Sequence, residues 1–275
     1  MTQTPNLLIT GTPRSGTTLL TATIHAIPNY VALSEPVQQQ ELKKDLASPE
    51  QYAKRLMALM QTLRQQILAG VALPNRFDKG GSAVASNYWK KSPGAAGGGM
   101  EATAEIREEV LAVQNENFTL GVKNCEQFTV CLEALVKLPQ APIIAVIRNP
   151  VACLLSWRSL DLPVSHGRLK FGEKFHRELR RIKRIDDLLL RQVKLLDWYL
   201  ERFYRHRESV RIMRYEDFVA NPDLLRELIP VPVEHIFPGR QSMNERPEYN
   251  LEETDAIRDC LREHAPFARL FYPSF

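Results

Sequence analysis

Asn6-Leu7-Leu8-Ile9-Thr10-Gly11-Thr12-Pro13-Arg14-Ser15-Gly16-Thr17-Thr18-Leu19-Leu20-Thr21-Ala22-Thr23-Ile24-His25-Ala26-Ile27 decides how the chain is read. Leu7, Leu8 and Ile9 form a short apolar run of the kind found in a buried parallel strand. Gly11 to Gly16 reads as a loop bounded by glycines. From Thr17 onward, Leu20, Ile24 and Ile27 are spaced to share one helical face. Strand, loop and helix in this order make an anion cradle, because loop N–H groups and the positive end of the helix converge on one point.

The spacing Gly11-x-x-x-x-Gly16 is that of a P-loop, which continues Lys-Ser/Thr. Thr17 stands where that lysine belongs. Kinases and ATPases use the lysine on the β- and γ-phosphates and the next hydroxyl on Mg²⁺. A loop without it either cradles a different anion or is a chance glycine-bounded turn. One cation has moved inside the loop, as Arg14.

Working outward, Tyr30–Ser34 predicts a second strand, closed by Glu35-Pro36. Residues 37–46 and 50–69 predict helices, the second with Leu56, Leu59, Met60, Leu63 and Ile67 on its core face. Residues 71–100 hold several glycines with Arg76, Lys79, Tyr88, Trp89, Lys90 and Lys91, and read as a flexible insertion suited to an acceptor lid. A helix over 101–115 and strands at 118–123 and 141–147 follow. The second of these strands is the most apolar in the chain and suits the middle of a parallel sheet. One long helix is predicted over 172–206, with Arg177, Arg180, Arg181, Lys183 and Arg184 on a solvated face, then a strand over 210–214. The alternation predicts an α/β fold: a single P-loop-like domain over residues 1–275, its central parallel sheet flanked by helices on both faces. Ligands in such sheets bind beyond the carboxyl ends of the strands, which singles out Gly11–Thr18, Glu35, Lys123, Arg148 and Tyr215.

The chain of 275 residues has a formal net charge of +4, too weak a bias to imply nucleic acid. Its four cysteines show no metal-ligand spacing and read as reduced thiols. No apolar run approaches the roughly 20 residues of a membrane span. The first strand starts close to Met1, without room for a signal peptide, so a cytoplasmic location is expected.

Arg148 ends the apolar strand, and Ser156 lies two turns into the helix that follows. An arginine fork with a serine hydroxyl suits a phosphate monoester. P-loop NTPases place an aspartate at such a strand end for Mg²⁺. Here it is arginine, which argues against triphosphate chemistry.

Thr12-Pro13-Arg14-Ser15-Gly16-Thr17-Thr18 resembles the 5′-phosphosulfate loop of sulfotransferases, which take sulfonate from 3′-phosphoadenosine 5′-phosphosulfate without a metal. Arg148-x-Pro150 with Ser156 resembles the family's 3′-phosphate motif, and Tyr215-Glu216-Asp217 followed by Asn221-Pro222 resembles a third segment. Three motifs in order, from residue 6 to about 222, make the resemblance specific. The Arg-Lys-Gly-x-x-Gly segment of steroid and phenol enzymes is absent, and the carbohydrate and bacterial branch looks closer.

The resemblance implies several roles. Thr12, Pro13, Ser15, Gly16, Thr17 and Thr18 would cradle the 5′-phosphosulfate, with Arg14 toward the bond that breaks. Arg148 and Ser156 would hold the 3′-phosphate, helped by Arg240, and Tyr215 would lie against the adenine. Ser34-Glu35-Pro36 resembles the Glu-Pro segment of carbohydrate sulfotransferases and makes Glu35 the expected base. Lys123 resembles the lysine of a Glu/Asp-Lys-Thr/Ser-Pro segment whose proline is missing here, and would touch the sulfonate. His166 is a rival base, although it follows the 3′-phosphate motif instead of preceding it. A small-molecule or carbohydrate acceptor and adenosine 3′,5′-bisphosphate as product complete the expectation. A P-loop kinase and a non-catalytic bisphosphate binder are the rival readings.

Overall fold

The computed structural model describes residues 6–91, 100–138, 141–244 and 250–274. The chain begins β1 (Asn6–Gly11), α1 (Thr17–His25), β2 (Tyr30–Ser34), a 3-10 turn (Val37–Lys43) and α2 (Pro49–Leu68). Four short strands follow: β3 (Leu73–Asp78), β4 (Trp89–Lys91), β5 (Met100–Ala102) and β6 (Ala104–Glu109). Then come β7 (Thr119–Lys123), α3 (Cys125–Val130), α4 (Leu132–Leu135), β8 (Ile143–Ile147), α5 (Pro150–Arg158) and a 3-10 turn (Pro163–His166). The remainder is α6 (Lys170–Glu173), α7 (Arg177–Ile182), α8 (Leu188–Arg205), β9 (Val210–Arg214), α9 (Tyr215–Ala220), a 3-10 turn (Pro222–Glu227), α10 (Leu251–His264) and α11 (Pro266–Phe271).

Five strands form one parallel sheet in the order β2-β7-β1-β8-β9. Both of its faces are covered, so β1, β7 and β8 are buried nearly throughout, whereas the edge strand β9 alternates, with Arg211 and Arg214 exposed. The pleat sends Leu8, Ile143, Ala145 and Ile147 into the core beneath α2, α5 and α8. It sends Leu7, Ile9, Ile144 and Val146 to the opposite face, against α1 and α9. The expected fold class is therefore the observed one.

The segment 101–115 departs from expectation. It is not helical: β6 pairs antiparallel with β3, from Leu73 opposite Glu109 to Asp78 opposite Ala104. Its alanine and glutamates favour a helix weakly, and tertiary pairing overrides that. β3 carries a period-two pattern, with Leu73, Asn75 and Phe77 buried. Arg107 of β6 lies over the Phe77 ring at 4.8 Å and pairs with Glu105 and Glu109 on its own strand. The described part of 71–100 thus carries strands: β3 belongs to this ribbon, and β4 pairs with β5. The long helix over 172–206 is broken into α6, α7 and α8, the last restarted by Asp187, whose carboxylate caps Leu190 N–H at 2.6 Å. Among the described residues no helix is long and apolar enough to cross a membrane.

Candidate active site

β1 sits at the point where the chain order reverses, with β7 on one side and β8 on the other. A crevice opens at the carboxyl ends of strands at such a point. Register decides what stands around it. Lys123 pairs with both Ile9 and Ser34, so the residue after Ser34, Glu35, emerges beside it. Ile147 pairs with Arg214, so Arg148 and Tyr215 emerge together on the other flank. A cavity of about 630 Å³ fills the crevice, lined by Pro13, Arg14, Gly16, Thr17, Thr18, Glu35, Lys123, Arg148, Tyr215 and Arg240. Thr12, Ser15 and Ser156 are buried behind this wall.

The loop is held by its side chains and by part of its backbone, with Thr12 N–H donating to the Val146 carbonyl and Ser15 N–H to the Thr12 carbonyl. Ser15 Oγ donates to the Val146 carbonyl at 2.8 Å, and Thr17 Oγ1 lies 3.2 Å from Cys125 Sγ. Cys153 Sγ and Trp157 Nε1 both donate to the Pro13 carbonyl. Ser15 Oγ thereby pins the loop to β8, and Thr17 Oγ1, on a residue that also lines the cavity, contacts α3. The first helical bond of α1 is Leu20 N–H to Gly16, so the amides before it are without helical acceptors.

Both glycines have steric reasons. A Cβ on Gly11 would lie 2.2 Å from the Val146 carbonyl oxygen, and one on Gly16 would lie 2.6 Å from Tyr215 Cδ2. Gly16 also has φ +92°, a left-handed conformation that costs a side chain strain. A Gly16→Ala variant is expected to lose about 1–3 kcal/mol of stability and to displace the Tyr215 ring. A lowered Tm together with weaker nucleotide binding would show both effects. An unchanged Tm would remove the close-packing account.

On the β8 flank, Arg148 is 6% exposed and its guanidinium has three acceptors. Nε donates to Asn244 Oδ1 at 2.7 Å, one terminal nitrogen to the Arg14 carbonyl at 3.0 Å, and the other to the Met243 carbonyl. Its plane lies 4.8 Å from the Tyr215 ring centroid. Tyr215 Oη accepts from Met243 N–H at 3.1 Å. Arg14 has φ +69° and donates from Nε to Ser156 Oγ at 3.1 Å, so Ser156 serves the loop cation directly.

On the β7 flank, Lys123 Nζ lies 2.6 Å from Glu35 Oε1 and 3.5 Å from Thr18 Oγ1. Lys123 is almost wholly buried, and the Tyr88 ring covers it at 5.2 Å. Burial pushes the Glu35 carboxyl up, but the Lys123 ammonium, helped by Arg76 and Lys43, holds the group below the ordinary carboxylate value. Burial likewise disfavours the Lys123 charge, yet Glu35 beside it raises its pKa above the ordinary value. The pair is charged at neutral pH.

The Sulfotransferase family model matches residues 5–229 of this chain. The chain belongs to the sulfotransferase family. A crystal structure of a sulfotransferase from Alicyclobacillus acidocaldarius overlaps with a TM-score of 0.46 at 13% identity, covering 98% of this chain and 96% of that one. Sulfotransferases from Mycobacterium avium (TM-score 0.39, 14% identity, 96% and 69% covered) and Mycobacterium tuberculosis H37Rv (0.36, 14%, 99% and 72%) also overlap. The family match carries the assignment; these overlaps do not add to it. No curated protein matches the chain.

Two histidines of the sulfotransferase stand apart from the cavity. His166 faces Asp161 at 2.7 Å in a separate surface dent, outside the main cavity. His25 Nδ1 accepts from Ala32 N–H at 3.1 Å and is part of the packing between α1 and β2. Sequence reasoning missed the groups that support Arg148. Glu216 accepts from Asn149 N–H and Asn244 Nδ2 on one oxygen and from Tyr272 Oη on the other. Glu216 does head α9, as its sequence position suggests, but its carboxylate is spent on these three donors. Asn244 lies outside all three motifs, and no local pattern announces it. Among the described residues no group of three or more His, Cys, Asp or Glu is placed to hold a metal ion.

Proposed function

We propose that this sulfotransferase transfers sulfonate from 3′-phosphoadenosine 5′-phosphosulfate to a hydroxyl or amine acceptor, releasing adenosine 3′,5′-bisphosphate. One observation carries the donor reading. Cations stand on both flanks of β1 around one cavity, Lys123 on the β7 side and Arg14 with buried Arg148 on the β8 side. A nucleotide with anions at two positions suits cations on two flanks better than a triphosphate gathered at one.

In the proposed chemistry the acceptor oxygen or nitrogen attacks sulfur in line. Its bond to sulfur forms as the bond from sulfur to the 5′-phosphate oxygen breaks, and the bisphosphate departs with that electron pair. Glu35 takes the acceptor proton, for which its ionised state suits it. Lys123, Arg14 and the loop amides offset charge growing on the leaving phosphate. The adenine is placed at the end of the cavity where Tyr215, packed against Arg148 and Gly16, lines the wall, and Arg240 offers a further cation to the 3′-phosphate. A phosphate reaching Arg148 competes with Met243 and Asn244 for the guanidinium. Residues 1–275 are read as one catalytic domain, with Tyr88 and Trp89 covering the acceptor end. The Ser34-Glu35-Pro36 segment favours a carbohydrate or another small metabolite as acceptor. Four unpaired cysteines fit a reducing, cytoplasmic setting.

Thermal shift tests the donor. At a ligand concentration 100-fold over Kd, adenosine 3′,5′-bisphosphate is expected to stabilise the fold by about 2.7 kcal/mol, a rise of several degrees. ATP with Mg²⁺ should do much less. Stabilisation by ATP with Mg²⁺ alone would favour a kinase and sink this reading.

A further inference from the structure

The segment between β3 and β4 brings one aromatic side chain against the Lys123–Glu35 pair. Tyr88 lines the cavity and is half-buried, and three contacts fix where it stands. Its hydroxyl donates to Ser34 Oγ, on the residue before Glu35. The Lys123 ammonium lies 5.2 Å from its ring centroid. The Arg76 guanidinium carbon lies 4.9 Å from the same centroid. The backbone is held as well: Tyr88 N–H donates to Asn87 Oδ1 at 3.0 Å, and Thr103 N–H donates to the Tyr88 carbonyl at 2.9 Å. One side chain thus touches the ends of β2 and β7, the strands that deliver Glu35 and Lys123.

Lys123 is 3% exposed, so water does little for its charge. Among the described residues its ammonium meets Glu35 Oε1 at 2.6 Å, Thr18 Oγ1 at 3.5 Å and the Tyr88 ring. Burial keeps the Tyr88 phenol protonated, so the ammonium meets a ring face and not a phenolate. A cation over such a face is attracted by the ring quadrupole, most strongly where water is excluded.

Proton transfer changes what the ammonium has beside it. As Glu35 takes the acceptor proton, its carboxylate becomes neutral and Lys123 loses its counter-ion. A buried charge stripped of its partner is strongly disfavoured. Negative charge reappears as the bond from sulfur to the 5′-phosphate oxygen lengthens. Between the two anions, the ammonium has the long contact to Thr18 and the Tyr88 face.

We propose that Tyr88 is a positioning residue that supports the Lys123 charge through the proton transfer, so that the ammonium passes from Glu35 to the leaving phosphate without being left bare. The inference rests on the sulfonate-transfer reading and adds a residue to it. Tyr88 itself takes and gives no proton. Arg76 and Ser34 hold its ring in place.

The test grades the charge of the ring while nearly keeping its shape. Tyr88→Phe is the reference, and 4-fluoro-, 3,5-difluoro- and 3,4,5-trifluorophenylalanine are placed at the same position of the full chain. Each fluorine draws electron density from the ring face. Transfer from 3′-phosphoadenosine 5′-phosphosulfate to methyl glucoside gives kcat and the donor KM. Across the series kcat is expected to fall stepwise, by about 3–30-fold in total, with donor KM constant within about twofold. A side chain kept only for packing gives a flat series, and that result overturns the role. The second measurement needs no turnover. In Glu35→Gln the ammonium has lost its charged partner, so the trifluoro ring should cost about 2 °C or more of Tm beyond its cost in the Glu35 protein. The Arg76 contact is common to both backgrounds and cancels. Equal costs overturn the contact, and the proposal with it, whatever kcat does. Should Tyr88→Phe fail to fold, 3-fluorotyrosine, which keeps the hydroxyl, is compared with tyrosine in both readouts; an unchanged kcat or equal Tm costs again overturn it. Unequal Tm costs without any transfer by the wild type support the contact and count instead against sulfonate transfer.

Discussion

Sulfonate transfer by a Glu35→Gln variant is expected to fall by about 10²–10⁴-fold, the usual contribution of a positioned general base. Glutamine keeps the shape and still accepts a hydrogen bond from Lys123, so binding of the bisphosphate should survive. Turnover assays beside a binding isotherm separate the two. Unchanged turnover would remove Glu35 from the base role. Loss of both would recast it as the counter-ion of Lys123 alone. The pH response adds a second readout. Glu35 is held below its ordinary 4.5, and Lys123 above its ordinary 10.5. A depressed acid stabilises the fold above its unfolded value, and that contribution is lost as pH falls through the folded one. A raised base stabilises the fold below its unfolded value, and that contribution is lost as pH rises through the folded one. The pair therefore contributes in full between about pH 4.5 and 10.5. The Tm gap between wild type and Glu35→Gln should be largest inside that window and close as pH drops below it. A gap independent of pH would mean that the loss is one of packing.

Arg148→Ala is expected to weaken adenosine 3′,5′-bisphosphate by about 10–100-fold, from charge-assisted hydrogen bonds of about 1.5–3 kcal/mol. Adenosine 5′-phosphate, which lacks the second phosphate, should lose far less. That ratio is the decisive quantity, because removing Arg148 also releases the Arg14 carbonyl, Met243 and Asn244 and so loosens the site generally. Equal weakening of both nucleotides would count against a 3′-phosphate contact. Lysine at this position should restore only part of the discrimination, since a point charge does not reproduce the guanidinium fork.

The gathering of Glu35, Lys123, Arg148 and Tyr215 around the loop that carries Arg14 was legible because each stands at or just past the end of a strand, and a parallel sheet gathers those ends at one edge. The β3–β6 ribbon was not legible, because its partner strand lies about thirty residues away and its own charged residues fit a solvated helix equally well. The partners of the loop hydroxyls were not legible either, since only the structure shows Ser15 against the Val146 carbonyl and Thr17 against Cys125. Asn244 owes its place beside Arg148 to packing, so no local pattern marks it.

Glu216 gives this protein an order of assembly. A nascent chain that has emerged as far as Ile229 holds all five sheet strands and the whole stretch matched by the family. At that stage the Glu216 carboxylate has only the Asn149 amide among its three partners; Asn244 and Tyr272 are still to come. The edge that presents Arg148 and Tyr215 is thus the part of the site finished latest. During synthesis the sheet can be complete while nucleotide binding is not, and truncations that spare every strand should still cost donor affinity.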